Sequence, residues 1–184
     1  MAGIAAETIV FLDETSTQTV MTRPRGRAPR GERVVGAVPR NHGPNVTCLV
    51  ALSPSGPQAP CVFEGAVTSA LFVRWLREWL VPTLAPGTIV VLDNLSGHRH
   101  TDVRPAIEGA GCRLLHLPPS SPDFNPIELA FAKRKAHRRG IAARSFEPLL
   151  AAIGTGLDGI TTADIRGYYG HCGFPLPEPD EHPS

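Results

Sequence analysis

Three carboxylates stand where predicted elements end or begin. Asp13 closes the apolar run TIVFLD, Asp93 closes a second, TIVVLD, and Glu128 lies just inside the helix that opens within SPDFNPIE. Thirty-four residues separate Asp93 from Glu128. Carboxylate oxygens suit hard divalent cations such as Mg2+ or Mn2+. Two such ions about 3.5–4 Å apart clamp the attacking and leaving oxygens when a phosphodiester is displaced in line. The chemistry this triplet suits is therefore metal-dependent cleavage or transfer of a polynucleotide strand.

Each acid also has a plainer explanation. Aspartate is common where a strand turns, and Asp93 is followed by Asn94 and Gly97, which suit a turn as well. In Asn125-Pro126-Ile127-Glu128 an N-cap residue precedes a Glu by three positions, with Pro at the first helical place. That is the pattern of a capping box. The combination weighs more than its parts. A carboxylate that ends a wholly apolar strand is uncommon, and this chain has two. Pro118, Pro119, Pro122 and Pro126 stiffen the loop before Glu128, which helps hold a helix start in one place. Glu14 should point to the opposite side of its strand from Asp13 and stays outside the set.

The elements that must position these acids follow from hydrophobic period. Residues 7–13 and 88–93 are apolar on both faces, as central strands are. RVVGAV (33–38) and VTCLVAL (46–52) read as two further strands, with APCVFE (59–64) extending that meander. TSALFVRWLREWL (68–80) changes to a helical period and stops at Pro82. A helix at 101–109, a strand at 112–117 (CRLLHL), a helix from Asn125, and helices at 145–158 and 161–170 complete the chain. Right-handed crossovers make the strands at 88–93 and 112–117 parallel to the first. The expected fold is α/β: a mixed five-stranded sheet, three strands antiparallel and then two parallel, flanked by helices. Asp13 and Asp93 then share the carboxyl end of adjacent strands, where open α/β sheets bind ligands.

Bulk properties fit one globular unit. The chain has 184 residues, 42% hydrophobic and 19% charged, with a net charge of +1. That small charge hides two basic stretches. Arg23, Arg25, Arg27, Arg30, Arg33 and Arg40 face only Glu32, and residues 133–144 include Lys133 and Arg134 with no acid. Basic segments beside an acidic metal site suit a polyanion. The four cysteines have no zinc spacing and read as core residues in a reducing compartment. His98 and His100 lack a third ligand; His98 reads as a surface residue or a neighbour of Asp93. No apolar run is long enough to span a membrane, and no signal peptide precedes strand 1, so a cytoplasmic protein is expected. The Pro-rich acidic tail, residues 175–184, is expected to be disordered.

LPPSSPDFNPIELAFAKRK, with VVLDNLSGH upstream and FLDE near the start, resembles the catalytic domain of insertion-sequence transposases of the Tc/mariner superfamily. These are the Asp-Asp-Glu endonucleases of the bacterial branch. The resemblance spans about residues 8–174 and includes the 34-residue interval. It implies a ribonuclease H-like catalytic domain over residues 1–174, with Asp13, Asp93 and Glu128 as catalytic triad and ligands of two Mg2+ or Mn2+ ions. It also implies double-stranded DNA as partner, both element ends and target, and a homodimer in a synaptic complex. Arg25, Arg27, Arg30, Lys133 and Arg134 are the expected DNA contacts. The chain departs from the family at Ser120, where an aromatic residue is usual. It also begins a few residues before strand 1, so the helix-turn-helix domain is expected to be absent or supplied by a separate polypeptide. Two rival readings are a catalytically silent remnant, binding DNA or a full-length transposase, and another ribonuclease H-like nuclease.

Overall fold

A computed structural model of the chain describes residues 5–18, 26–35, 44–93, 100–119, 121–141 and 145–178; for Gln18 and residues 134–141 it describes the backbone alone. Strands β1 (Ile9–Gln18), β2 (Asn45–Ser53) and β3 (Gly56–Glu64) form an antiparallel meander. Strands β4 (Ile89–Leu92) and β5 (Arg113–His116) run parallel to β1 on its other side. The sheet order is β3-β2-β1-β4-β5. Between β3 and β4 comes helix α1 (Ser69–Trp75), which loosens into a π turn over Leu76–Leu80 and a 3-10 turn over Val81–Thr83. Helix α2 (Val103–Glu108) joins β4 to β5, and α3 (Pro126–Ile141), α4 (Phe146–Asp158) and α5 (Thr162–His171) follow.

Strand alternation divides the core into two layers, which explains why β1 is apolar throughout its first half. Ile9 and Phe11 face the layer completed by α3, α4 and α5, including Phe131, Ile153 and Tyr169. Val10 and Leu12 face the layer completed by α1 and α2, including Phe72, Leu76 and Ile107. Phe11 meets the Tyr169 ring edge-on at 5.4 Å. The buried Tyr169 hydroxyl lies 2.9 Å from the carbonyls of both Ile9 and Leu52. This pins α5 across β1 and β2. All four cysteines are free thiols, and burial raises the pKa of Cys61, Cys112 and Cys172. Among the described residues no helix is long and apolar enough to cross a membrane.

Three details differ from the sequence reading. Residues 33–35 form no strand, and Val35 is 88% exposed; the rest of RVVGAV lies outside the described residues. A β-branched run forms a strand only with a partner, and the place beside β2 belongs to β3. The β2–β3 hairpin is set at Ser53–Gly56. There the Ser53 hydroxyl donates to the Gly56 carbonyl at 2.9 Å and accepts the Ser55 N–H at 3.2 Å. Gly56 has φ of 135°, which only glycine adopts readily.

The second difference is the length of β1. It continues five residues past Asp13, pairing Asp13 with Val50 and Gln18 with Asn45. Its parallel pairing with β4 ends earlier, at Phe11 and Val91. Asp13 therefore closes only the parallel half of the strand. The third concerns the tail. Disorder was expected from residue 175, but Leu176 packs against the core, and the Arg166 guanidinium donates to the Pro177 carbonyl. Residues 179–184 lie outside the described residues.

Candidate active site

Asp13 follows Phe11 by two residues, so strand parity turns it toward the layer of α3. It is buried, at 5% exposure. Its Oδ1 accepts the Glu14 N–H at 2.7 Å, and its Oδ2 accepts from the Asn125 amide nitrogen at 3.2 Å. Asp93 follows the last residue of β4 and is half-buried. It stands two residues beyond Val91, as Asp13 stands two beyond Phe11, the partner of Val91 in the ladder. The two carboxylates thus occupy equivalent positions on adjacent parallel strands. Beyond them, the Leu117 N–H donates to the Leu92 carbonyl at 2.8 Å. His116 Nδ1 lies 3.2 Å from the Asp93 carbonyl. Both contacts fix the backbone that carries Asp93.

Glu128 sits in the first turn of α3 and is exposed. Its N–H donates to the Asn125 carbonyl at 3.1 Å, so the start of α3 is hinged on a residue that touches Asp13. Among the described residues no three His, Cys, Asp or Glu side chains gather closely enough to hold a metal ion. The donor set nonetheless matches Mg2+ or Mn2+ in kind, being oxygen throughout. The same corner holds an unmet polar demand: Asn125 Oδ1 is buried without a hydrogen-bond partner among the described residues.

The other expected residues separate into three groups. Arg27 and Arg30 are exposed on the segment after β1. Arg25, His98 and the Arg134 side chain lie outside what the structure describes. Lys133 has a duty the sequence did not reveal. Its Nζ donates to Asp164 Oδ2 at 2.5 Å and to the Gly159 carbonyl at 3.2 Å, tying α3 to the start of α5. The hydrogen bond to Asp164 raises the Lys133 pKa. Reciprocally, hydrogen bonds from Lys133 first, then from Thr161, lower the Asp164 pKa to about 2.

Sequence reasoning missed Asn125, because an Asn before Pro and three before Glu is also the pattern of a helix cap. It missed Phe124 too, which is 51% exposed on the 3-10 turn Pro122–Phe124 beside Asn125. A cavity of about 990 Å³ adjoins that turn, lined by Leu117, Pro118, Phe124 and Phe174 among others. Its walls are mainly apolar, and none of the three carboxylates lines it.

A mixed 3-2-1-4-5 sheet with helices on both faces, and acids just past the parallel pairing of β1 with β4, defines a ribonuclease H-like architecture. The chain belongs to the DDE superfamily endonuclease family, whose model matches residues 8–149. Compared with curated protein sequences, it finds no match. Among solved structures it is similar to Mos1 transposase in its strand transfer complex, with a TM-score of 0.72 and 18% identity over 91% of this chain and 52% of that one. The Mos1 mariner paired-end complex with Mn gives 0.70 and 20%, over 91% and 53%. The Mos1 catalytic domain alone gives 0.65 and 15%, over 91% and 78%. At such identities the likeness establishes the fold. The chain spans about half the length of the Mos1 chains in these complexes.

Proposed function

We propose that this chain is a transposase catalytic domain that performs metal-dependent DNA strand cleavage and strand transfer. The observation that carries the reading is that Asp13 and Asp93 each stand two residues past the last parallel pair, Phe11 and Val91, with the start of α3 tied to Asp13 through Asn125. Family membership supports it, as do the Mos1 complexes, which include a strand transfer complex and paired-end complexes with Mn and Mg.

Asp13, Asp93 and Glu128 would hold two Mg2+ or Mn2+ ions. Such ions, when bound, acidify an attacking water or 3′-hydroxyl and stabilise the leaving oxygen. The protein's part is preorganisation. Asp13 is held by the Glu14 N–H and the Asn125 amide, Asp93 by the backbone contacts of Leu117 and His116, and Glu128 by a helix start tied to Asn125. No covalent enzyme intermediate is needed. Arg25, Arg27 and Arg30, with Arg134 on α3, would grip phosphates beside the cut; Lys133 is held by Asp164 and contributes less. The partners are double-stranded DNA and a second copy of the chain in a synaptic complex. A cytoplasmic location accompanies this reading.

Nicking of an end-proximal duplex in Mn2+ or Mg2+ tests it. Cutting is expected in the parent protein and abolished in Asp13→Ala and Asp93→Ala, with both variants folded. A folded parent that never cuts would leave the chain as a DNA-binding remnant. Preferential cutting of an RNA–DNA hybrid would point to another ribonuclease H-like nuclease.

A further inference from the structure

Asn125 is 3% exposed, and its groups are disposed in an unusual way for the residue before a helix. An N-cap side chain normally accepts a backbone N–H from the first turn. Here Oδ1 has no donor among the described residues, although it is buried. The backbone N–H turns away to the Pro122 carbonyl at 2.9 Å, and the amide nitrogen reaches Asp13 Oδ2 at 3.2 Å. Flipping the amide would set its oxygen against a carboxylate oxygen, two acceptors face to face, so Asp13 itself dictates the orientation. Native proteins seldom leave a buried acceptor unmet, and an exception calls for a missing donor.

We infer that Asn125 is a positioning residue for a divalent cation at Asp13: its Nδ2 orients the carboxylate, and its buried Oδ1 accepts a hydrogen bond from a water on that cation. This rests on the metal-dependent reading above. A water on a divalent cation is a strong donor, and Mg2+ keeps several of its waters when it binds protein. With Nδ2 engaged by Asp13, Oδ1 is assigned to such a water rather than to the cation itself. Groups that orient ligands from outside the coordination sphere typically change metal affinity 10–100-fold when removed. The same amide fixes the distance between β1 and the helix that bears Glu128, so one residue sets both carboxylates.

The test is Mn2+ binding by the full chain without DNA, followed by Mn2+ electron paramagnetic resonance, alongside thermal unfolding without metal. Asn125→Leu removes both donor and acceptor at similar volume. It should bind Mn2+ about tenfold or more weakly, while a cooperative metal-free melt shows that it stays folded. Asn125→Ala replaces it should leucine prevent folding. Asn125→Asp keeps an acceptor oxygen and adds charge, and it should bind Mn2+ at least as tightly as the parent. Parental affinity in Asn125→Leu, or an equal loss in the Leu and Asp variants, would overturn the inference. Failure of the parent to bind Mn2+ would instead remove the metal-dependent reading on which it stands.

Discussion

Helices α3 and α5 open on the same kind of sequence, a polar residue followed three positions later by an acid, and they use it differently. At α5 the pattern closes on itself. Thr161 Oγ1 accepts the Asp164 N–H at 3.2 Å, and Asp164 Oδ2 accepts the Thr161 N–H at 2.8 Å, a complete capping box. At α3 the Asn125 amide ignores its own helix and reaches Asp13, 112 positions earlier in the chain. No hydrogen bond to the Glu128 side chain forms among the described residues. The first arrangement stabilises a helix; the second forgoes local stabilisation to organise groups from two elements. What decides between them is the surface beneath: the α3 start abuts a buried carboxylate, whereas the α5 start is met by the Lys133 ammonium.

Cations should separate the two helix starts most strongly. Mn2+ at 100 times its Kd should stabilise the parent by about 2.7 kcal/mol. Thr161→Ala should gain the same increment, because its helix start takes no part in the site, while Asp93→Asn should lose most of it. Melting curves across a Mn2+ titration measure this; equal gains in all three proteins would erase the distinction. The next effect is local. Thr161→Ala should cost about 1 kcal/mol in denaturant unfolding without metal, the usual loss for a helix cap.

A pH series sharpens the same contrast. Asp164 is lowered from 3.8 to about 2 in the folded protein. Its carboxylate therefore stabilises the fold fully above about pH 4, and the contribution is lost as pH falls through about 2. The Tm gap between the parent and Asp164→Asn should be constant from pH 5 to 7 and close below pH 4. A gap that widens on acidification would contradict the pairing. The smallest effect concerns DNA. Neutralising Arg27 or Arg30 should reduce the salt slope of DNA binding by about 0.9 for each phosphate that the side chain had neutralised. Lys133→Ala should alter that slope less and lower the Tm instead.

Much of this architecture is written in hydrophobic period. The apolar runs ending at Asp13 and Asp93 announce central strands, and the helical stripe at Phe72, Trp75 and Leu76 announces a buried helix. The β2–β3 hairpin has a local signal in Pro54-Ser55-Gly56, but RVVGAV, with its stronger β propensity, drew the strand to the wrong place. Propensity cannot show whether a partner is available. The roles of Asn125 and Lys133 were not legible for a related reason. A cap and a long-range amide share the same four-residue pattern, and a lysine on a basic helix looks the same whether it meets phosphate or Asp164. Only tertiary neighbours distinguish those alternatives.

The central claim is that Glu128 acts with Asp13 and Asp93. Glu128→Gln tests this most directly, since Gln also serves at the third position of a helix and changes little but the charge. Metal-dependent nicking should fall at least about a hundredfold, as expected when several kcal/mol of charge stabilisation are lost, with an unchanged metal-free Tm. Nicking by Glu128→Gln at the parental rate would contradict the three-carboxylate site.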